Sequence, residues 1–495
     1  MRVETIAAPS GAPITPSRAT IVEGPRDAFV QDREELAHVL GRPPVVPTRQ
    51  FADGYGRVTH LALLLSDYAE GEVRAQMLGA YRTLFTEMET DTKFTVLVES
   101  DRDREDVEAL IRDNGVPNPE RLRILKPGVG DLTVWARDMM VGLFTPGNPE
   151  TTALLHQSML HDWHENDARL PALLSEATPS IVLDSEPRIV TDGGDVVSNR
   201  HESFVGYYSI AATEKKIGDA MQRDPALRDK IAEYYEKNFG KQIADGPLQY
   251  PFSFVPRENP QDDHHPSFTL VADADFKIAD PGAGKVTPQQ ACEDMAVRLF
   301  EEHFGKPVQI MGKDNPDTPE IEEPATDHQD MGCTPIDDHN FLVGDPTLAR
   351  TLLGKMSEDE LKAVEARLSA QAGKPVHLPR GTWENRDNPN DFEQYARTLE
   401  GKGYHVDRLP HMEPSEDGLP YISYNNCLME RFEKDGQEIR RVFLPVYGIP
   451  VLDEYATEVW RSKGFEVHPM PLGALSAYWG ALRCITNWLD RTPRG

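Results

Sequence analysis

Apolar positions along the chain fall into short continuous runs separated by stretches of helical periodicity. Val58–Leu65 and Phe94–Val98 are nearly unbroken apolar runs, the pattern of strands buried on both faces. Between them Glu72–Glu87 repeats apolar residues at helical spacing, and Glu105–Asn114 predicts a shorter helix stopped at Gly115. Arg121–Leu125 adds a third strand. The alternation resumes further on. Thr287–Phe304 predicts a helix with Thr287 as cap and Pro288 in the first turn. Phe341–Val343 predicts a strand closing at Gly344-Asp345-Pro346. Ser357–Gly373, Asp391–Gly403 and Val451–Gly464 predict helices, and Tyr404–Leu409, Val442–Val446 and Phe465–Met470 predict strands. Leu419–Met429 predicts a strand pair with a polar centre at Asn425-Asn426-Cys427. Strands that alternate with helices in this way imply a layered α/β fold.

Two regions break the pattern. Residues 1–50 are rich in Pro, Ala and charge without periodicity, which predicts an extended N-terminal arm ahead of a catalytic domain over 51–495. Within that domain, residues 205–290 look like an insertion. Ala212–Gly240 is a charged helical stretch. Gln249–His265 combines Pro, aromatics and the His264-His265 pair, the composition of a lid or flap.

Composition narrows the function classes. With 52 basic against 82 acidic residues the net charge is −30, which argues against nucleic acid as a partner. Such a field draws cationic ligands toward a cleft, although charge alone points first to solubility or salt adaptation. Four cysteines in 495 residues make no disulfide framework, and no ligand spacing suggests zinc. A reducing, cytoplasmic setting follows. Met1–Arg18 lacks an apolar signal region, and no run is long enough to span a membrane. No glycine loop has the strand-loop-helix spacing of a phosphate cradle, so neither metal nor organic cofactor is expected.

The candidate chemistry is scattered. Cys484 follows Arg483 and precedes two β-prone residues near the C-terminal end. A cationic neighbour favours a thiolate, and a thiolate is a strong nucleophile; the bland alternative is a small buried hydrophobe. Arg137 and Asp138 stand side by side in the apolar stretch Val134–Val141, where a strand-end ion pair is the plain alternative. Thr191-Asp192-Gly193-Gly194-Asp195 places acids around a Gly-Gly step that permits close backbone approach or a common turn. His328 and Asp330 are two apart, and on an extended segment they share one face. A histidine and a carboxylate so placed suit proton transfer and cation binding; a polar surface strand is the alternative. Cys333 and Cys427 read as core residues, and His339 as a competitor for a polar role.

Taken in order, Trp135-Ala136-Arg137-Asp138, Asp192-Gly193-Gly194, His328-Gln329-Asp330 and Cys484-Ile485-Thr486 resemble the guanidine-modifying superfamily of deiminases and amidinotransferases. Phe443–Pro450 ahead of the cysteine also looks like agmatine and bacterial peptidylarginine deiminases. The resemblance spans roughly residues 57–490. It implies a five-bladed α/β propeller of ββαβ-type modules around a central site. It also implies Cys484 as nucleophile, His328 as general acid/base, Asp138 and Asp330 as guanidinium-binding carboxylates, and Trp135 against the substrate's stem. Arg137, Asp192, Gly194, Asn426 and Arg483 complete the implied substrate-binding set. The chemistry agrees independently, because a planar guanidinium fork matches carboxylates in bidentate fashion. Arg483 before the cysteine is as in arginine deiminases, where agmatine and peptidylarginine deiminases tend to have histidine. Tyr478-Trp479 stands where agmatine deiminases are glycine-rich.

The expected activity is deimination of a guanidine, free or carried on a peptide, to a ureido product and ammonia. An amidinotransferase passing the amidino group to an amine is the enzymatic alternative, and a non-catalytic guanidinium-binding protein the other. The expected partner is the small-molecule or arginyl-peptide substrate, with no nucleic acid and no membrane; a homo-oligomer is compatible with this reading.

Overall fold

A computed structural model describes residues 39–156, 166–250, 252–256, 268–272, 280–313, 328–379, 391–413 and 420–493. The fold is mixed α/β. Five of the seven sheets among the described residues repeat one plan: two successive strands pair antiparallel, and the chain crosses over to return parallel to the second. Met140–Thr145 pairs with Asn148–His156, and the Leu170–Ala177 helix leads back to the parallel strand Ile181–Asp184. Val196–Ser198 pairs with Ser203–Gly206, which is joined in parallel by Val308–Met311. Cys333–Pro335, Asn340–Asp345 and His405–Met412 repeat the plan, as do Leu428–Lys434, Gln437–Val446 and Glu466–Pro471. The fifth sheet joins distant parts of the chain. Thr486–Thr492 lies antiparallel to Arg57–Leu65, which runs parallel to Lys93–Val98.

A parallel return needs a crossover, and helices supply it. Helices on one face and neighbouring sheets on the other leave Leu61, Ala62, Leu63, Leu64 and Leu65 wholly buried, which is why that strand reads as an unbroken apolar run.

Local chemistry moves several expected boundaries. The helix expected from Glu105 begins at Asp101, because Ser100 and Asp103 form a reciprocal cap: Ser100 N–H donates to Asp103 Oδ2 (2.8 Å) and Asp103 N–H to Ser100 Oγ (3.2 Å). The long helical stretch expected over 212–240 is two helices, Tyr207–Arg223 and Pro225–Phe239. Pro225 cannot donate to the preceding turn, and Asp224 caps the new helix by accepting from Ala226 N (3.0 Å) and Leu227 N (3.3 Å).

The expected arm and insertion both contribute paired strands or packed helices among the described residues. Arg49–Gln50 is a strand paired with Phe144 and Leu143, so the end of the arm belongs to a sheet; residues 1–38 lie outside the described residues. Tyr207–Arg223 packs against Pro288–Phe304, with Tyr207, Ile210, Ala211, Met295 and Leu299 in one buried cluster. Gln242–Ile243 pairs with Lys285–Val286 and brings the two sides of the excursion together. Most of Gln249–His265, including the histidine pair, lies outside the described residues. No described helix is long and apolar enough to cross a membrane.

Candidate active site

The repeat places the candidate chemistry. In each of the five units, the residues just before the first strand are those singled out by the sequence: Trp135–Asp138, Asp192–Asp195, His328–Asp330, Asn425–Asn426 and Arg483–Cys484. These segments interlock through their backbones. Arg137 N–H donates to Cys484 O (2.9 Å), and Asn487 Nδ2 donates to Ala136 O (3.0 Å) and Met140 O (2.8 Å). Gly193 packs so tightly that a Cβ there would lie 1.9 Å from Arg137 O. Asn426 ties three segments: Nδ2 donates to Asp330 Oδ1 (3.0 Å), while Oδ1 accepts from Arg483 N (2.8 Å) and Cys484 N (3.3 Å).

His328 stands between two carboxylates, with Nδ1 3.7 Å from Asp138 Oδ1 and Nε2 3.6 Å from Asp192 Oδ2. Gly194 lies against the ring, where a Cβ would meet Nδ1 at 2.6 Å. Burial disfavours the imidazolium, but Asp138 and Asp192 outweigh it and hold His328 well above the ordinary histidine range. Asp138 is itself buried. Burial pushes its carboxyl up to about 7, with Asp192 and Asp330 adding to the shift and His328 opposing it.

The expectation that His328 and Asp330 share one face of a strand does not hold. Gln329–Gly332 is a helical turn, closed by Met331 N–H on His328 O (3.1 Å) and held by Gln329 Nε2 on the Tyr395 hydroxyl (2.9 Å). His328 therefore meets Asp138 and Asp192, whereas Asp330 meets Asn426, Arg483 (Nε–Oδ2 3.0 Å) and Arg137 (Nε–Oδ2 3.8 Å).

Cys484 is 4% exposed, with Sγ 3.6 Å from Asn426 Oδ1 and 3.9 Å from Met331 Sδ. Burial, then Asp330 and Asp138, push its thiol well above the ordinary range. The thiolate-stabilising role expected of Arg483 is not what the geometry provides. Its guanidinium pairs with Asp330 and with Asp53 (Nη2–Oδ1 2.9 Å), resting on the Trp488 ring at 4.4 Å. Arg137 lies over the same ring at 4.6 Å and donates to Val196 O (3.2 Å); burial pushes its guanidinium down to about 10.

Trp135 is buried with Gly480 against its ring, and Tyr68 meets it edge-on at 6.2 Å. Tyr68 also meets the exposed Tyr478 at 6.3 Å, and Trp479 holds a left-handed φ of 67°. Cys333 and Cys427 are buried, with the Cys427 thiol pushed up to about 12 by burial; His339 is exposed. Sequence reasoning missed Asp53, Met331 and Trp488. Asp53 sits alone between Ala52 and Gly54, with no pattern to mark it, whereas Trp488 lies four residues beyond the cysteine on the strand it introduces.

The fold resembles that of a solved agmatine deiminase. The solved structures it resembles include a cysteine-to-serine variant of C. jejuni agmatine deiminase with substrate bound, at 11% identity, covering 90% of this chain and 97% of that one, with a TM-score of 0.50. They also include agmatine deiminase of Enterococcus faecalis (11% identity, 90% and 96% covered, TM-score 0.47) and a dimethylarginine dimethylaminohydrolase (10% identity, 87% and 99% covered, TM-score 0.35). Of these three the first reaches a TM-score of 0.50, and at such identity the likeness is one of fold. No protein-family profile and no curated protein matches the sequence.

Proposed function

We propose that the protein is a hydrolase that deiminates a guanidine through a covalent intermediate on Cys484. One observation carries the reading: the buried Asp138 carboxylate, close enough to raise the Cys484 thiol, has an oxygen, Oδ1, that lies 3.7 Å from His328 Nδ1 and accepts no hydrogen bond among the described residues. A buried acceptor left open is costly, and a guanidinium N–H satisfies it. Asp138 and Asp330 hold the guanidinium, and Cys484 Sγ attacks its central carbon as a thiolate. His328, kept protonated by Asp138 and Asp192, gives a proton to the departing amine. The resulting thiouronium is attacked by water whose proton His328 takes, releasing the ureido product and the thiol. The enzyme acts in the cytoplasm, on arginine, agmatine or peptidyl-arginine.

We further propose that the five units close into a ring around this site, supported by the close approach of Gly142 to Trp488 O and the isolated bridge between Gly56 and Arg431. We also propose that residues 205–290, part of which lie outside the described residues, cover the site, a reading supported by their length and their aromatic and histidine content between two of the motif segments.

The test is incubation with arginine, agmatine and an arginyl peptide, measuring ammonia and ureido product with and without glycine. Ureido product with stoichiometric ammonia is expected. Amidino transfer to glycine would mean a transferase, and binding without product a guanidinium-binding protein.

A further inference from the structure

We propose that Asp53 is a positioning residue of the site: acting through Arg483, it sets where the Asp330 carboxylate stands and how much negative charge meets an incoming guanidinium. The kinetic half of this inference rests on the deiminase reading; the electrostatic half does not.

Asp53 lies outside all five motif segments and is 1% exposed. Its backbone and side chain are both tied to the strand that follows the Asp192 turn: Asp53 N–H donates to Ser198 O (2.7 Å), and Ser198 N–H donates to Asp53 Oδ2 (2.6 Å). The other oxygen faces Arg483 Nη2 at 2.9 Å, and Arg483 Nε faces Asp330 Oδ2 at 3.0 Å. One guanidinium is thus held between two buried carboxylates, with its plane fixed against Trp488. A single positive charge shared by two carboxylates leaves Asp330 only partly neutralised. Arg137, at 3.8 Å, completes the job poorly.

Removing the Asp53 charge leaves Arg483 to Asp330 alone. Asp330 and Asp138 both raise the Cys484 thiol, whose Sγ lies beside Asn426 and Met331. Arg483 and Arg137 flank Asp330, and Asp138 and Asp192 flank His328. A better-neutralised Asp330 attracts a substrate guanidinium less and opposes the Cys484 thiolate less. Both effects have one cause, which a merely structural residue would not produce.

The experiment compares wild type, Asp53→Asn, Asp53→Ser and Asp53→Glu in the full-length chain. Alkylation of Cys484 by iodoacetamide, read by mass spectrometry against pH without substrate, should shift to lower pH in the two neutral variants and stay near wild type in Asp53→Glu. With the guanidine that wild type turns over best, KM should rise about tenfold in the neutral variants, with kcat changing less, as for loss of a charge-assisted contact. An unshifted alkylation profile in a folded neutral variant overturns the proposal. Failure of both neutral variants to fold, with Asp53→Glu folded and unchanged, also overturns it, since Asp53 is then structural only. If wild type turns over no guanidine, the deiminase reading fails while the alkylation profile still decides the role of Asp53.

Discussion

Gly194→Ala is a sharp perturbation because its effect is steric and local. Gly194 is buried and does not hold a left-handed φ, so an alanine is tolerated by the backbone. The new Cβ would lie 2.6 Å from His328 Nδ1 and 2.7 Å from Cγ, whereas ordinary contact begins at 3.4 Å. The ring must withdraw by 3.4 − 2.6 = 0.8 Å. It cannot do so and keep both partners, since Asp138 and Asp192 flank its two nitrogens at 3.7 and 3.6 Å. A misplacement of about 1 Å costs on the order of a hundredfold in rate, or about 2.7 kcal/mol of barrier. Overpacking costs about 1–3 kcal/mol of stability, which a chain this size should survive. Ureido-product formation under saturating guanidine, with thermal unfolding on the same samples, reads both quantities. A folded Gly194→Ala protein with kcat within about threefold of wild type would refute the idea that His328 is held in place by this glycine.

Four further outcomes are expected. Asp138→Asn should lower kcat/KM by at least about tenfold, the loss of a contact worth about 1.5–3 kcal/mol. Its stability should move the other way at high pH: the folded carboxyl titrates near 7 against an ordinary 3.8, so its contribution is complete below 3.8 and is lost as pH rises through 7. The melting temperature of the variant relative to wild type should therefore climb between pH 4 and 8, and a flat difference would count against the shift. Cys484→Ser should bind a guanidine by calorimetry yet give no product, and a haloacetamidine should label Cys484 alone among the four cysteines; label on Cys333 or Cys427 would move the nucleophile. The rate should rise with pH as the thiolate forms and fall as His328 loses its proton, a bell whose alkaline limb disappears if His328 is not the acid. Treatment with a chelator should leave turnover intact, and loss restored by added metal would contradict the cofactor-free chemistry.

Much of the architecture was legible because burial on both faces writes a continuous apolar run, as in Val58–Leu65, and because caps such as Thr287 and Ser357 are local signals. The first strands of the second and third sheets in chain order were not anticipated. Val196–Ser198 is three residues long, and Met140–Thr145 merges with the motif before it. The helical turn at Gln329–Gly332 also escaped, since a four-residue turn held by Tyr395, far along the chain, leaves no periodic trace.

The sequence by itself determined the alternation of strands and helices, the residue types able to do guanidine chemistry, and their order. It did so because periodicity and local capping are properties of neighbouring residues. Tertiary structure alone decided the partners. His328 meets Asp138 and Asp192 instead of sharing a face with Asp330, and Arg483 turns from Cys484 to Asp330 and Asp53. These contacts join residues up to 430 positions apart; those among the motif segments exist because five repeats of one strand-and-helix plan bring the segments before their first strands together. Burial then raises the Asp138 carboxyl to about 7 and holds the Cys484 thiol protonated, an effect no local pattern carries, because it depends on how much water the finished fold excludes.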